Sequence, residues 1–363
     1  MNHWIDSPDA LQSRLQSWNT PPAVALDTEF VRERTYYPQL ALVQIAIPGE
    51  VLLVDPLVPG MATVLRSLLD DPRILKIMHS ASEDLQAFLR GCGTVPSPLF
   101  DTQVAAGLAG FGAGLGYQKL VQQLTGQVLE KGETRSDWLR RPLSDSQLHY
   151  AAEDVLYLHE LHAQLAAALE RLDRAAWLDA DCARAVRNAR SDADDVHPHL
   201  ALRSAQTLDG EGQARLCRLL RWRDAEARRL DRPKSWILDN ELSVALARRV
   251  PEDFNRFNEV LDRHPKAPRK SRRELWDLLA APLSEAELAI PLSRAEQVDK
   301  NQLKKMQEAV AGVAQSLDVP EGLLCSRKHL ESLLEGRGWP DALAGWRHER
   351  LQAVLTPLIP APA

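Results

Sequence analysis

Four acidic side chains and one tyrosine could do chemistry together, and the first two acids are nearly adjacent. Asp27 and Glu29 close the run Val24-Ala25-Leu26-Asp27-Thr28-Glu29-Phe30. Its small and branched residues predict a buried strand, and Pro21-Pro22 blocks a helix just before it. Side chains two apart on a strand share a face, so the two carboxylates lie side by side. They repel each other and resist desolvation, which calls for a counter-charge. A divalent cation that prefers oxygen ligands would supply it. Two solvated acids at a strand end is the other reading of this stretch.

Asp84 sits in the first turn of a helix that Ser80-Ala81-Ser82-Glu83 opens in a capping-box pattern. The short strand over residues 74–79 leads straight into that helix and delivers Asp84 to a strand-end crevice, where open α/β sheets bind ligands. A second capping box, Ser144-Asp145-Ser146-Gln147, starts a helix whose apolar positions include Leu148, Ala151, Ala152 and Val155. Tyr150 and Asp154 are four apart on it and therefore neighbours on one face. Four carboxylates drawn from three elements are what a two-metal phosphoryl-transfer site requires.

The positioning elements follow from periodicity. A helix is expected over 5–18, where Leu11, Leu15 and Trp18 recur at helical steps. Apolar runs over 40–47 and 51–54 flank Pro48-Gly49-Glu50 and form a hairpin, extending the Asp27 strand into an antiparallel meander. A helix over 62–69, a short strand over 98–101 and a helix over 102–108 follow. The Gly-rich stretch 107–116 lacks the Gly-Lys-Ser/Thr ending of a phosphate loop and reads as a connector. In the polar loop 133–141, Trp138 is expected to be structural, and at least one of Arg135, Arg140 and Arg141 to meet phosphate.

At 363 residues the chain is long enough for two or three domains, and 45% hydrophobic with 26% charged residues describes an ordinary globular protein. The N-terminus has no signal-peptide pattern, and no apolar run approaches the ~20 residues of a membrane helix. The four cysteines are scattered without a CxxC spacing, which argues against a zinc site or a disulfide framework and fits a cytoplasmic protein. The net charge of −6 divides unevenly. Residues 1–208 carry 18 Lys+Arg and 26 Asp+Glu, while 209–363 carry 26 and 24. An acidic half that gathers metal ligands beside a mildly basic half that meets phosphate would give this asymmetry, as would chance.

Beyond a polar, breaker-rich linker at 191–208, the chain reads as short helices in two modules of similar size, 209–290 and 291–363. Arg215, Arg218, Arg221, Arg223, Arg228, Arg229 and Arg232 give the first some basic character. The basic stretch holding Lys266, Arg269, Lys270 and Arg272 is read as a solvated turn.

Taken together, several motifs resemble the ribonuclease D family of the DEDD 3′→5′ exonuclease superfamily, tyrosine subtype. They are Leu26-Asp27-Thr28-Glu29-Phe30-Val31-Arg32 with Tyr36-Tyr37-Pro38-Gln39-Leu40, His79-Ser80-Ala81-Ser82-Glu83-Asp84-Leu85, Thr134-Arg135-Ser136-Asp137-Trp138-Leu139 and Tyr150-Ala151-Ala152-Glu153-Asp154. The resemblance is close over about 20–190. It implies an α/β ribonuclease H-like exonuclease domain over 1–190, with a mixed sheet, antiparallel first strands and helices on both faces. Two all-α HRDC modules would follow, the second more diverged. It implies two divalent ions, Mg²⁺ or Mn²⁺. Asp27 would bridge both, Glu29 and Asp154 would complete the site of the water-activating ion, and Asp84 would serve the second. Tyr150 would orient the attacking water, since a phenol near pKa 10 is a poor base at neutral pH.

Phe30, Arg135 and Arg140 are the implied substrate contacts. A sister subtype places histidine five residues before the last acid, where His149 stands. On a regular helix, however, Tyr150 lies about 40° from Asp154 and His149 about 140°. The expected activity is 3′-end trimming of tRNA precursors and other small structured RNAs, releasing 5′-mononucleotides, by a protein without membrane contact that works as a monomer. The same chemistry on DNA, or a non-catalytic RNA-binding scaffold, are the alternatives.

Overall fold

The structure, a computed structural model, describes residues 2–18, 21–129, 136–191, 194–264, 266–293 and 299–360. They fall into two compact units. One comprises 1–31, 39–191 and 297–363; the other comprises 32–38 and 192–296.

The first unit is built on a six-stranded mixed sheet in the order β1-β4-β3-β2-β5-β6. The strands are β1 (Asn2–Ile5), β2 (Ala23–Val31), β3 (Gln39–Ile47), β4 (Glu50–Val54), β5 (Leu75–Met78) and β6 (Leu99–Asp101). β2, β3 and β4 form the antiparallel meander, and β5 and β6 add parallel strands beside β2. β3 is buried from Leu40 to Ala46 without interruption, as a strand covered on both faces must be.

The covering helices are α1 (Pro8–Ser17), α2 (Met61–Asp70), α3 (Ser82–Cys92), α4 (Thr102–Leu108), α5 (Tyr117–Thr125), α6 (Asp145–Leu156), α7 (Leu158–Arg171) and α8 (Ala175–Arg190). β1 corrects the reading of the first residues, because it pairs in parallel with β4 before α1 begins. Ser7 then caps α1 through the Ala10 N–H, so the helix starts three residues later than its apolar periodicity predicts.

In the other unit the helices are α9 (Gly210–Leu230), α10 (Lys234–Ile237), α11 (Asn240–Arg248), α12 (Phe254–Asp262), α13 (Arg272–Ala280) and α14 (Glu285–Leu288). They close around Leu216, Leu220, Leu242, Phe257, Leu261 and Leu275. Most of the arginines that make this stretch basic are spent internally. The Arg218 guanidinium pairs with Glu287 and donates to the carbonyls of Leu278, Ala281 and Pro282. Arg223 is buried against Asn240, and Arg229 pairs with Glu226. Within the same unit, Asp231 accepts the backbone N–H groups of Tyr36 and Tyr37, both at 3.0 Å.

The final helices, α15 (Lys300–Leu317), α16 (Glu321–Leu324), α17 (Arg327–Leu334) and α18 (Trp346–Leu355), share the core of the first unit. Trp346 stacks on Trp177 of α8 with centroids 4.4 Å apart. The buried Asp181 carboxylate accepts from Arg347, and Arg174 donates to the carbonyls of Leu108 and Leu317. Among the described residues no helix is long and apolar enough to cross a membrane.

Candidate active site

Strand alternation puts Asp27 and Glu29 on one face of β2, as their spacing requires. Asp27 registers opposite Gln44 and Glu29 opposite Leu42, and the pairing slips just after Glu29, so that Phe30 meets Leu40. This bulge falls beside the acids, where such irregularities re-aim side chains. Phe30 is half-buried and packs on the core.

α3 brings Asp84 in. The helix lies close on β3 because residue 91 is glycine: a Cβ there would come within 2.6 Å of the Leu40 side chain. Asp84 is buried and accepts a 2.5 Å hydrogen bond from the Thr28 hydroxyl, which ties α3 to the strand carrying the other two acids.

The capping box expected at Ser80 does not form. Ser80 has φ +57°, Ala81 is the N-cap, and no side chain of the helix caps it. Asp101 at the end of β6 instead holds the turn that leads into the helix. Its carboxylate accepts the N–H groups of Ser80 (3.1 Å), Ala81 (2.9 Å), Gln103 (2.8 Å) and Val104 (3.2 Å). One buried acid therefore fixes the turn before α3 and the start of α4.

α6 opens on Ser144 with a complete capping box to Gln147. Tyr150 donates its hydroxyl to the Asp154 carboxylate one turn later. Trp138 is buried, its ring 6.2 Å from that of Tyr150. His149 is exposed and pairs with Glu153 at 3.6 Å. Arg141 holds the loop that precedes α6. It makes a bidentate pair with Asp55, both contacts 2.7 Å, and donates to the carbonyls of Ala41 and Trp138. Arg140 is exposed, and Arg135 lies outside the described residues.

The four carboxylates act on one another. Burial, then Asp84, Asp154 and Glu29, hold the Asp27 carboxyl well above the usual range. Burial with Asp154 and Asp84 pushes Glu29 up to about 8. Asp84 is raised to about 7 mainly by burial, against the Thr28 hydrogen bond that lowers it. Asp154 is raised to about 7 by burial, which the Tyr150 hydrogen bond partly offsets. Among the described residues no cation acts on these crowded acids, and a hard divalent cation fits that deficit. Gln44 points to the same need. It is fully buried, its register with Asp27 puts both side chains on one face, and neither its Oε1 nor its Nε2 has a hydrogen-bond partner among the described residues.

Sequence reasoning missed Asp101, Arg141 with Asp55, and Gln44 as supports of the site. Only Gln44 carried a local signal, an amide inside the otherwise apolar run 40–47.

A mixed sheet with an acid pair on its central strand and further acids on two helices suits a metal-dependent phosphodiesterase, and residues 2–170 match the family described as 3′-5′ exonuclease. The chain is 52% identical over 361 residues to ribonuclease D of Xanthomonas oryzae pv. oryzae, covering 99% of each chain. It is 36% identical to ribonuclease D of Pseudomonas paraeruginosa, covering 98% of this chain and 97% of the relative. The crystal structure of Escherichia coli RNase D, described as an exoribonuclease involved in structured RNA processing, superposes with a TM-score of 0.84. Its identity is 31% and the match covers 99% of this chain and 98% of that one. The chain belongs to the ribonuclease D family, and it is a 3′→5′ exoribonuclease.

Proposed function

We propose that this exoribonuclease trims the 3′ ends of tRNA precursors and other small structured RNAs, releasing 5′-mononucleotides with the help of two divalent ions, Mg²⁺ or Mn²⁺. The observation that carries the reading is the cluster of Asp27, Glu29, Asp84 and Asp154, four recessed carboxylates whose proton affinities are all raised by burial. Asp27, Glu29, Asp84 and Asp154 would hold the ions, with Glu29 and Asp154 serving the water-activating one and Asp84 the other. The ions, when bound, supply a hydroxide-like water and stabilise the leaving oxygen.

Tyr150 orients the attacking water. Burial and the nearby Asp154 raise its phenol further above its ordinary value, so at neutral pH it holds its proton and donates a hydrogen bond rather than accepting a proton. Thr28 holds Asp84 toward the cluster through its hydroxyl. Phe30 beside the acids and exposed Arg140 on the loop before α6 are the groups we assign to the terminal base and the phosphate, together with Arg135. The segment 209–290 serves as an HRDC module and 291–363 as its diverged counterpart. Four cysteines, all free and buried, suit a cytoplasmic enzyme acting as a monomer.

The test is cleavage of a 3′-extended tRNA, and of a DNA strand of the same sequence, by wild type and Asp27→Ala in Mg²⁺ or EDTA. Stepwise shortening of the RNA that needs both the metal and Asp27 supports the proposal. Equal trimming of the DNA strand would remove the RNA preference, and full activity of Asp27→Ala would remove the two-ion site.

A further inference from the structure

The spacing of the cysteines along the chain gives no metal-binding pattern, yet folding carries one of them to two histidines. His197 and His199 flank Pro198 at the start of the one-turn 3₁₀ helix Pro198–Ala201, and Cys217 lies on α9. One ligand atom from each of the three side chains lies within 4.8 Å of the other two. We propose that His197, His199 and Cys217 form a zinc-class metal site whose ligands come wholly from the helical unit.

The distances are close to what a metal needs. Zinc bonds of about 2.0–2.1 Å to nitrogen and about 2.3 Å to sulfur, at tetrahedral angles, separate ligand atoms by roughly 3.3–3.8 Å. Small side-chain rotations close the remaining gap. Imidazole and thiolate are the ligand types that select zinc over magnesium or manganese, so the site differs in chemistry from the carboxylate cluster.

The surroundings already orient the ligands. The His199 Nε2–H donates to the Pro291 carbonyl at 2.9 Å, which makes Nδ1 the lone-pair nitrogen of that buried ring. A ring N–H anchored on a backbone carbonyl is the usual support of a metal-binding histidine. The Nδ1 atom of His197 is buried without a hydrogen-bond partner, a cost that a bound cation removes. The Cys217 thiol has only a long contact, 3.5 Å to the Val196 carbonyl, and metal binding would replace its proton. Water would fill the fourth position. The Asp195 carboxylate accepts the backbone N–H of His197 at 2.9 Å and so fixes the turn that carries this ligand. A metal held this way pins the polypeptide after residue 193 to α9.

The experiment uses the full chain carrying Asp27→Ala and Asp154→Ala, so that the carboxylate cluster does not compete. The metal-stripped protein is titrated with Co²⁺ and the absorption spectrum recorded. The proposal expects one equivalent of Co²⁺ with a thiolate-to-cobalt charge-transfer band and tetrahedral ligand-field bands, displaced by Zn²⁺. It expects both to vanish with Cys217→Ser and to weaken at least tenfold in affinity with His197→Ala. Should Cys217→Ser fail to fold, His197→Ala, half-buried and tolerant, decides the question. A spectrum without a charge-transfer band overturns the proposal, as does a band that survives Cys217→Ser or an affinity unchanged in His197→Ala.

Discussion

Replacing Glu29 by glutamine keeps its size and removes one of four mutually repelling carboxylates. In the metal-free protein, burial and the charges of Asp154 and Asp84 raise the Glu29 carboxyl from 4.5 to about 8. Between those values the folded protein keeps a proton that the unfolded chain has released. Stability therefore falls as pH rises through that window and levels off above about pH 8. The window spans about 3.5 pH units, and ~1.4 kcal/mol per unit sets a ceiling of ~5 kcal/mol. Part of Glu29 is in contact with water, and its titration is shared with Asp84 and Asp154, so about 1–3 kcal/mol is expected.

Metal-free Glu29→Gln should thus melt several degrees above wild type at pH 8, with the two curves meeting near pH 5. Thermal unfolding in EDTA at pH 5, 6.5 and 8 measures this, followed by the same series in Mg²⁺. Added Mg²⁺ should stabilise wild type more than the variant and narrow or reverse the gap. A variant no more stable than wild type at pH 8 in EDTA, or a gain equally large at pH 5, would refute the reasoning.

Three further outcomes test the supports of the site. Tyr150→Phe should slow single-turnover cleavage at saturating Mg²⁺ by about 10–100-fold while changing the Mg²⁺ dependence little, because the hydroxyl positions water and does not ligate. Asp101→Ala strands four backbone N–H groups and should cost about 2–4 kcal/mol in urea unfolding, with Asp101→Asn recovering part of it. Arg141→Ala leaves the buried Asp55 carboxylate without its cation and should cost about 3 kcal/mol; the double variant with Asp55→Ala should cost less than the two singles together.

The residues we propose as catalytic stood out in the sequence because their pairings depend on short-range geometry. Alternation on a strand pairs Asp27 with Glu29, and one helical turn joins Tyr150 to Asp154. The supports were not legible because they act across long stretches of chain. Ser80 carries every local mark of a helix cap, yet its backbone is left-handed and its turn is held by Asp101, 21 residues away. Arg141 looks like a phosphate ligand in a polar loop until Asp55, 86 residues earlier, is seen to occupy it. β1 is only four residues of mixed polarity, too short to show a period, and it exists because β4 offers an edge to pair with. The arginines of α9 read as a basic face, but Glu287, Asn240 and Glu226 take up three of them.

The shared core of residues 297–363 with the catalytic sheet has a consequence for how the protein is made. At about 5–20 residues per second, a ribosome that has finished α8 needs several more seconds before α15 begins to emerge. Through that interval Trp177 waits for Trp346, and Asp181 is without the Arg347 side chain it binds. An RNA-degrading fold whose final packing awaits α15–α18 stays incomplete beside its own message through that interval, and a chain interrupted before them never acquires it.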